Sequence, residues 1–162
     1  MNTAYFDSTV NNLNAITSDL TQYEAYVNQA LAVQNMSCAQ LAEFAVETVA
    51  KLTGTTAQIA AISAKATAEI STIQANVTSA LAALAPLLTP PTNLSSVITW
   101  ITTLINTYAG PNAALLAQET VLAAQLVRIT TAVTDCTTAV ATIAASIASA
   151  ISSQQISKGC AL

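Results

Sequence analysis

The sequence has few charged residues, few aromatic residues and no histidine. Charged side chains make up 7% and aromatic side chains 4% of its 162 residues. An ordinary soluble domain carries roughly 25% charged residues, so the exposed faces of this chain must be wetted by Ser, Thr, Asn and Gln. The lack of histidine excludes Ser-His and Cys-His nucleophilic sites and histidine-ligated metal sites. We therefore predict a protein that is not an enzyme and has no metal or cofactor.

Basic residues are especially scarce. Four Lys and Arg residues stand against eight Asp and Glu residues, which gives a net charge of -4. The chain offers no basic patch that could neutralise phosphates, so nucleic acid is not an expected partner. Faces with so little charge oppose apolar contact only weakly. This composition favours self-association or binding to an apolar ligand, a lipid or a hydrophobic surface.

Glycine and proline are also rare, with three and four residues, while 53% of the residues are apolar. Apolar side chains recur at spacings of three and four, which is typical of helices packed along one face. We predict one all-α domain, an elongated up-and-down antiparallel bundle. It has a shorter N-terminal helix, two long coiled-coil-like helices and a short apolar helix near the turn. The four helices are predicted over about residues 8–35, 37–88, 94–108 and 112–155.

Several residues indicate where helices begin and whether they continue. Ser8 is the predicted N-cap of the first helix, and Ser37 and Gln40 have the spacing of a capping box. Gly54 lies inside the second apolar stripe, and the spacing passes through it without a change of phase. Because a helical glycine costs only about 1 kcal/mol, we predict one continuous helix there.

The apolar stripes also predict which side chains face the core. In the second helix the stripe includes Val49 and Thr56, and in the last helix it includes Leu126. Polar positions next to them are expected to face solvent.

The stretch Ile70–Gln118 contains no charged residue. Its short helix is apolar over most of its circumference, so we expect it to be buried in the bundle, in an oligomer interface or in lipid. The candidate apolar contact residues are Leu94, Val97, Ile98, Trp100, Ile101, Leu104, Ile105 and Tyr108.

The three cysteines are too widely spaced for a zinc motif. Cys136 lies on the core stripe and is expected to be a small buried apolar residue. The alternative is a disulfide between Cys38 and Cys136, which a bundle would allow. Cys160 falls in a tail over residues 157–162 that is expected to fray, where it could crosslink chains.

Glu43, Glu47 and Lys51 follow one another at a spacing of four on the second helix. The Glu-to-Lys order at this spacing stabilises a helix through an exposed ion pair. We therefore predict a solvated ion-pair face rather than a weak cation site or an acid-base pair.

Two segments carry a resemblance to a known family. Val10–Val27, which contains Ser18-Asp19-Leu20, and the Ala- and Ser-rich segment Ile143–Ser153 are similar to secreted fungal hydrophobic-surface-binding and cell-wall mannoprotein lipid-binding domains. The resemblance implies a helical bundle that takes up fatty acids. It carries no binding residue over to this chain.

Three functions fit these features. The first is binding of a lipid or hydrophobic surface. The second is a self-assembling structural subunit of a filament, coat or surface layer. The third is a membrane-inserting bundle that resembles α-helical pore-forming toxins in layout and uses the uncharged tip at residues 79–108. A secreted or surface-exposed location is expected, although Met1–Asp7 lacks the basic and apolar regions of a signal peptide.

Overall fold

The computed structural model describes a helical protein over residues 3–84, 96, 99–103 and 113–160. It contains three long helices, α1 (Ala4–Val33), α2 (Cys38–Leu84) and α3 (Ala113–Ser157). Residues 99–103, within the predicted short helix, are helical as well, and these described ranges contain no strand. The predicted all-α class is confirmed.

The first helix begins one turn earlier than predicted. It starts at Ala4, and Phe6 is buried with 1% of its surface exposed. The hydroxyl of Thr9 donates to the carbonyl of Tyr5 at 3.0 Å, which is the helical i to i−4 pattern. Ser8 therefore lies inside the helix, and its assignment as N-cap was wrong. Burial of Phe6 extends the apolar face of α1 by a turn toward the N-terminus.

The second helix begins and continues as predicted. The Gln40 backbone N–H donates to Ser37 Oγ at 3.3 Å, and the Ser37 N–H donates to Gln40 Oε1 at 2.9 Å. These reciprocal bonds form the capping box and satisfy two N–H groups that have no partner within the helix. Helix α2 then runs through Gly54 without a break.

The chain divides into two compact units. One, the three-helix unit, comprises Ala4–Ala64 and Arg128–Leu162, and the other comprises Met1–Thr3 and Lys65–Val127. The three-helix unit contains all of α1, the first part of α2 and the last part of α3. The second unit contains the remaining parts of α2 and α3.

Contacts at both ends give the helix directions in the three-helix unit. Arg128 Nη1 donates to Asp7 Oδ1 at 2.7 Å near the start of α1, and Lys158 Nζ donates to Asn35 Oδ1 at 2.7 Å just after α1 ends. Helices α1 and α3 therefore run in the same direction, and α2 runs in the opposite direction. The core of this unit is formed by Leu13, Ile16, Leu20, Val27, Ala30, Leu31, Met36, Leu41, Leu52, Ile59, Ala132, Cys136, Ile143, Ile147 and Ile151.

Threonines occupy core positions of α2 that the sequence assigned to other residues. Thr48 and Thr55 are 2% and 8% exposed, whereas Val49 is 62% exposed and Thr56 is also exposed. The buried hydroxyls donate to carbonyls four residues earlier at 2.8 and 3.0 Å. With the hydroxyl satisfied by its own helix, a threonine can pack its methyl group as valine does. The placement of Val49 and Thr56 in the core was therefore wrong.

In the second unit, the buried position of α3 is one residue away from the position that the sequence predicted. Gln125 is 8% exposed and Leu126 is 40% exposed, so the assignment of Leu126 to the core was wrong. The stripe continues from Leu122 at spacings of three and four through Gln125 to Ile129. Apolarity alone favoured the leucine over its amide neighbour, but the helical register buries the glutamine.

The disulfide joins Cys38 to Cys160, with their Cα atoms 5.5 Å apart, and Cys136 is a free, fully buried thiol. The predicted burial of Cys136 is confirmed, and the alternative, a Cys38–Cys136 bridge, was wrong. Because α2 and α3 run in opposite directions, the start of α2 lies beside the end of α3. Cys136, in the middle of α3, is too far along the helix to reach Cys38.

The residues after α3 form an ordered helix cap. Gly159 has φ +66°, its N–H donates to the Ile156 carbonyl at 3.0 Å, and the Cys160 N–H donates to the Gln155 carbonyl at 2.9 Å. This pair of bonds is a Schellman motif, which requires the left-handed conformation that glycine adopts readily. The expectation of a fraying tail was therefore wrong for residues 157–160. Residues 161–162 lie outside the described residues.

We expect Gly54→Ala to stabilise the protein by about 1 kcal/mol. A Cβ atom at this position meets no atom within 4 Å, and alanine loses less backbone entropy than glycine in a helix. Urea unfolding followed by circular dichroism measures the change. The matched control is Gly159→Ala, which should destabilise by about 1–2 kcal/mol because alanine is strained at positive φ. An unchanged or lower stability for Gly54→Ala would contradict the expectation.

We expect the double variant Cys38→Ser/Cys160→Ser to lose about 2–5 kcal/mol of unfolding free energy. The disulfide closes a loop between residues 122 positions apart, and its removal frees the unfolded chain. Urea unfolding with and without dithiothreitol checks this, since reductant should affect only the wild type. Titration of the unfolded, unreduced wild type should find one thiol, that of Cys136. Three titratable thiols would show that the disulfide is absent.

Candidate functional site

A groove runs between α2 and α3 in the three-helix unit, and we call it the α2/α3 groove. It contains two cavities, of about 360 and 190 Å³. The α2 wall of the larger cavity is formed by Ala45, Thr48, Val49 and Leu52. Its α3 wall is formed by Ala144, Ile147, Ala148, Ile151, Ser152 and Gln155.

Small side chains open the larger cavity. Ala45, Ala144 and Ala148 extend no further than Cβ, so the facing walls remain apart where larger residues would close the gap. Beneath them, Leu52 and Ile147 are buried, with 8% and 1% of their surfaces exposed. The result is a concave surface with an apolar floor, as ligand pockets usually have.

The rim of this cavity is apolar on one side and polar at one end. Val49, on α2, is 62% exposed, while Ser152 and Gln155 supply a hydroxyl and an amide from α3. The lining described here includes no charged residue. The site can therefore offer apolar contact and neutral hydrogen bonds, but it holds no acid-base group.

The smaller cavity continues the groove along the same two helices. Ile59 and Ala60 on α2 face Val133 and Val140 on α3, together with the polar residues Thr56, Ser63 and Thr137. The hydroxyls of Thr56 and Thr137 donate to carbonyls of their own helices at 3.0 and 2.8 Å. Because these donors are already satisfied, this part of the groove is less polar than its residue types suggest.

A second groove of about 300 Å³ lies between α1 and α2, and we call it the α1/α2 groove. Buried Ile16 and Leu20 line its floor, but much of the remaining lining is polar. Asp19 on α1 and Lys51 on α2 both line this cavity. The other lining residues are Gln22, Tyr23, Thr55 and Gln58.

The predicted ion pair of Lys51 with its own helix does not form. Neither Glu43 nor Glu47 lies within 4.0 Å of the Lys51 ammonium group in the described part of the chain. Lys51 instead lines the α1/α2 groove. The i, i+4 spacing correctly puts the charges on neighbouring turns, but exposed side chains have little to hold them together.

The structure describes two of the predicted apolar contact residues. Trp100 is half-buried and Ile101 is 42% exposed. Neither lines the grooves described above. The remaining candidates lie outside the described residues: Leu94, Val97, Ile98, Leu104, Ile105 and Tyr108.

Sequence reasoning missed both grooves. Its stripe placed Val49 in the core, although Val49 is on the groove rim. The available signal was the spacing of small residues, since Ala144 and Ala148 recur one turn apart on α3. That signal identifies a narrow face on one helix, but it does not say which helix lies opposite.

Other features add little chemistry. Within the described ranges, no group of three or more His, Cys, Asp or Glu residues could hold a metal ion. One helical stretch there, Thr120–Ser157, is long and apolar enough to cross a membrane by length and composition alone, with mean hydropathy 1.4. Core helices of soluble proteins pass the same test.

Comparisons with protein-family models, curated proteins and solved structures give no match for this chain.

Proposed function

We propose that this chain is a non-enzymatic protein that binds a lipid or a hydrophobic surface through the α2/α3 groove. The larger cavity is the observation that carries the proposal. Its volume of about 360 Å³ falls within the roughly 300–1,000 Å³ of small-molecule sites. Its lining is apolar below and uncharged throughout.

Fatty acids are the ligand class that fits this groove. Each methylene group moved from water into an apolar site contributes about 0.8 kcal/mol, so several methylenes in the cavity would support binding. Ser152 and Gln155 lie at one end of the cavity, where they could hydrogen-bond a carboxyl group that stays in water. The resemblance to fungal lipid-binding domains implies the same class of ligand.

The disulfide supports a location outside the reducing cytosol. Disulfides such as Cys38–Cys160 persist in oxidising compartments and are rare in cytosolic proteins. We propose that the protein is secreted or surface-exposed.

A self-assembling subunit is the second candidate function. Val33, Val46 and Ile156 are 76%, 70% and 65% exposed in the three-helix unit. All three lie toward the end of the unit where α1 ends, α2 begins and α3 ends. The Cys38–Cys160 disulfide is at this same end of the unit. Contiguous apolar patches on a protein surface mark contact sites, and a contact surface at this end of the unit would cover these three side chains. Insertion into a membrane through the uncharged tip at residues 79–108 is a third candidate; within this tip, residues 85–95, 97–98 and 104–108 lie outside the described residues.

Native mass spectrometry with palmitate tests the first proposal. We expect a monomer or dimer that carries palmitate. Ala148→Trp should weaken palmitate binding at least about tenfold, or 1.4 kcal/mol, because the indole fills the larger cavity. The matched control is Ala145→Trp on the same helix, where the alanine is exposed and lines neither cavity.

Equal palmitate binding by the wild type and Ala148→Trp would remove the groove from the proposal. A ladder of higher oligomers without palmitate would instead favour the self-assembling subunit. A monomer without palmitate that releases dye from liposomes would favour membrane insertion.

A further inference from the structure

We propose that the α1/α2 groove is a second binding site, for a small zwitterion that carries a quaternary ammonium group and a phosphate. The proposal comes from the placement of two charges and one aromatic ring in the three-helix unit. It does not depend on lipid binding in the α2/α3 groove.

The two charges come from different helices, and no ion pair involves either of them in the described part of the chain. Asp19 on α1 and Lys51 on α2 line the same cavity of about 300 Å³. Neither has an ion-pair partner within 4.0 Å among the residues that the structure describes. By contrast, Arg128 pairs with Asp7. Opposite charges on the two walls of one cavity leave room for a ligand that bridges them. The Asp19 carboxylate would attract the ligand's cation by charge alone, and the Lys51 ammonium would donate charge-assisted hydrogen bonds to its anionic group.

Charge is scarce in this protein, which makes the arrangement informative. Only 7% of the residues are charged, and four of them are basic. A ligand with a single charge would meet a like charge on one wall of the cavity, at an energetic cost. A ligand with both charges meets an opposite charge at each end.

Tyr23 identifies the end that binds the cation. It lies four residues after Asp19, so both project from the same face of α1 and both line the groove. The Tyr23 hydroxyl donates to Thr48 Oγ1 at 3.4 Å, and its ring stacks on Tyr26 with centroids 6.2 Å apart. These contacts hold the ring in place. An aromatic face beside a carboxylate is a typical environment for a quaternary ammonium group.

Lys51 then serves the anionic end. Its ammonium group is on the opposite helix, and lysine binds phosphate as a point charge. Buried Ile16 and Leu20 line the same groove and give the methyl groups of the cation an apolar floor. Gln22 and Gln58 add neutral donors and acceptors at the rim.

Isothermal titration calorimetry with phosphocholine tests the site. We expect saturable binding, with choline alone and inorganic phosphate each at least about tenfold weaker. Asp19→Asn and Lys51→Met should each weaken phosphocholine binding at least about tenfold. The matched controls are Asp135→Asn and Lys65→Met, which change exposed charges outside this groove. All four variants alter exposed positions, and circular dichroism checks that each is folded.

Three results would overturn the proposal. The first is that phosphocholine shows no saturable binding. The second is that inorganic phosphate binds as tightly as phosphocholine. The third is that the groove variants and the control variants lose equal amounts of phosphocholine affinity. Binding of free phosphocholine is measured in the absence of lipid, and the Ala148→Trp variant should retain it. A negative result with palmitate is therefore distinguishable from a negative result with phosphocholine.

A vesicle experiment identifies the source of the zwitterion. If phosphatidylcholine vesicles sediment the wild type but not Lys51→Met, the groove binds a lipid headgroup. If vesicles sediment neither protein while free phosphocholine binds, the ligand is a soluble zwitterion. Both results support the site.

Discussion

The structure depends on threonine hydroxyls that hydrogen-bond to the carbonyls of their own helices. With so few charged residues, threonine and serine must supply much of the polar surface. In all three helices threonine hydroxyls donate to the carbonyl four residues earlier, as at Thr17, Thr48 and Thr134. A threonine bonded in this way has no unsatisfied donor. It can therefore lie in the core at Thr48 or on the surface at Thr134 without a large penalty.

This property links the packing of α2 to the grooves. Because Thr48 can be buried, the core register of α2 moves away from Val49 and exposes that valine on the groove rim. Alanines on the facing helix leave the space that a larger side chain would fill. The α2/α3 groove is thus apolar and uncharged. The α1/α2 groove has a similar volume but contains two of the few charges in the chain, so the two grooves suit different ligands.

The end of the three-helix unit combines a covalent link with ordered caps. The capping box at Ser37 begins α2, and the Schellman motif at Gly159 ends α3. The disulfide joins Cys38 and Cys160, the residues next to these caps. The caps orient the two cysteines locally, while the antiparallel directions of the helices bring them together. The larger cavity of the α2/α3 groove, which includes Gln155, lies close to this link.

The sequence by itself determined the helical class, the capping box and the continuity of α2 through Gly54. Each of these depends on residues close together in the chain, where spacing of three and four is informative. Tertiary structure decided the disulfide partner of Cys38, the burial of Thr48 in place of Val49, and the meeting of Asp19 with Lys51 in one groove. These features depend on which helix faces which, and at what register. Rotating α2 by one residue decides whether Thr48 or Val49 is buried, and the direction of α3 decides which cysteine lies beside Cys38. Neither change alters the spacing of the apolar residues, so the sequence pattern could not distinguish the alternatives.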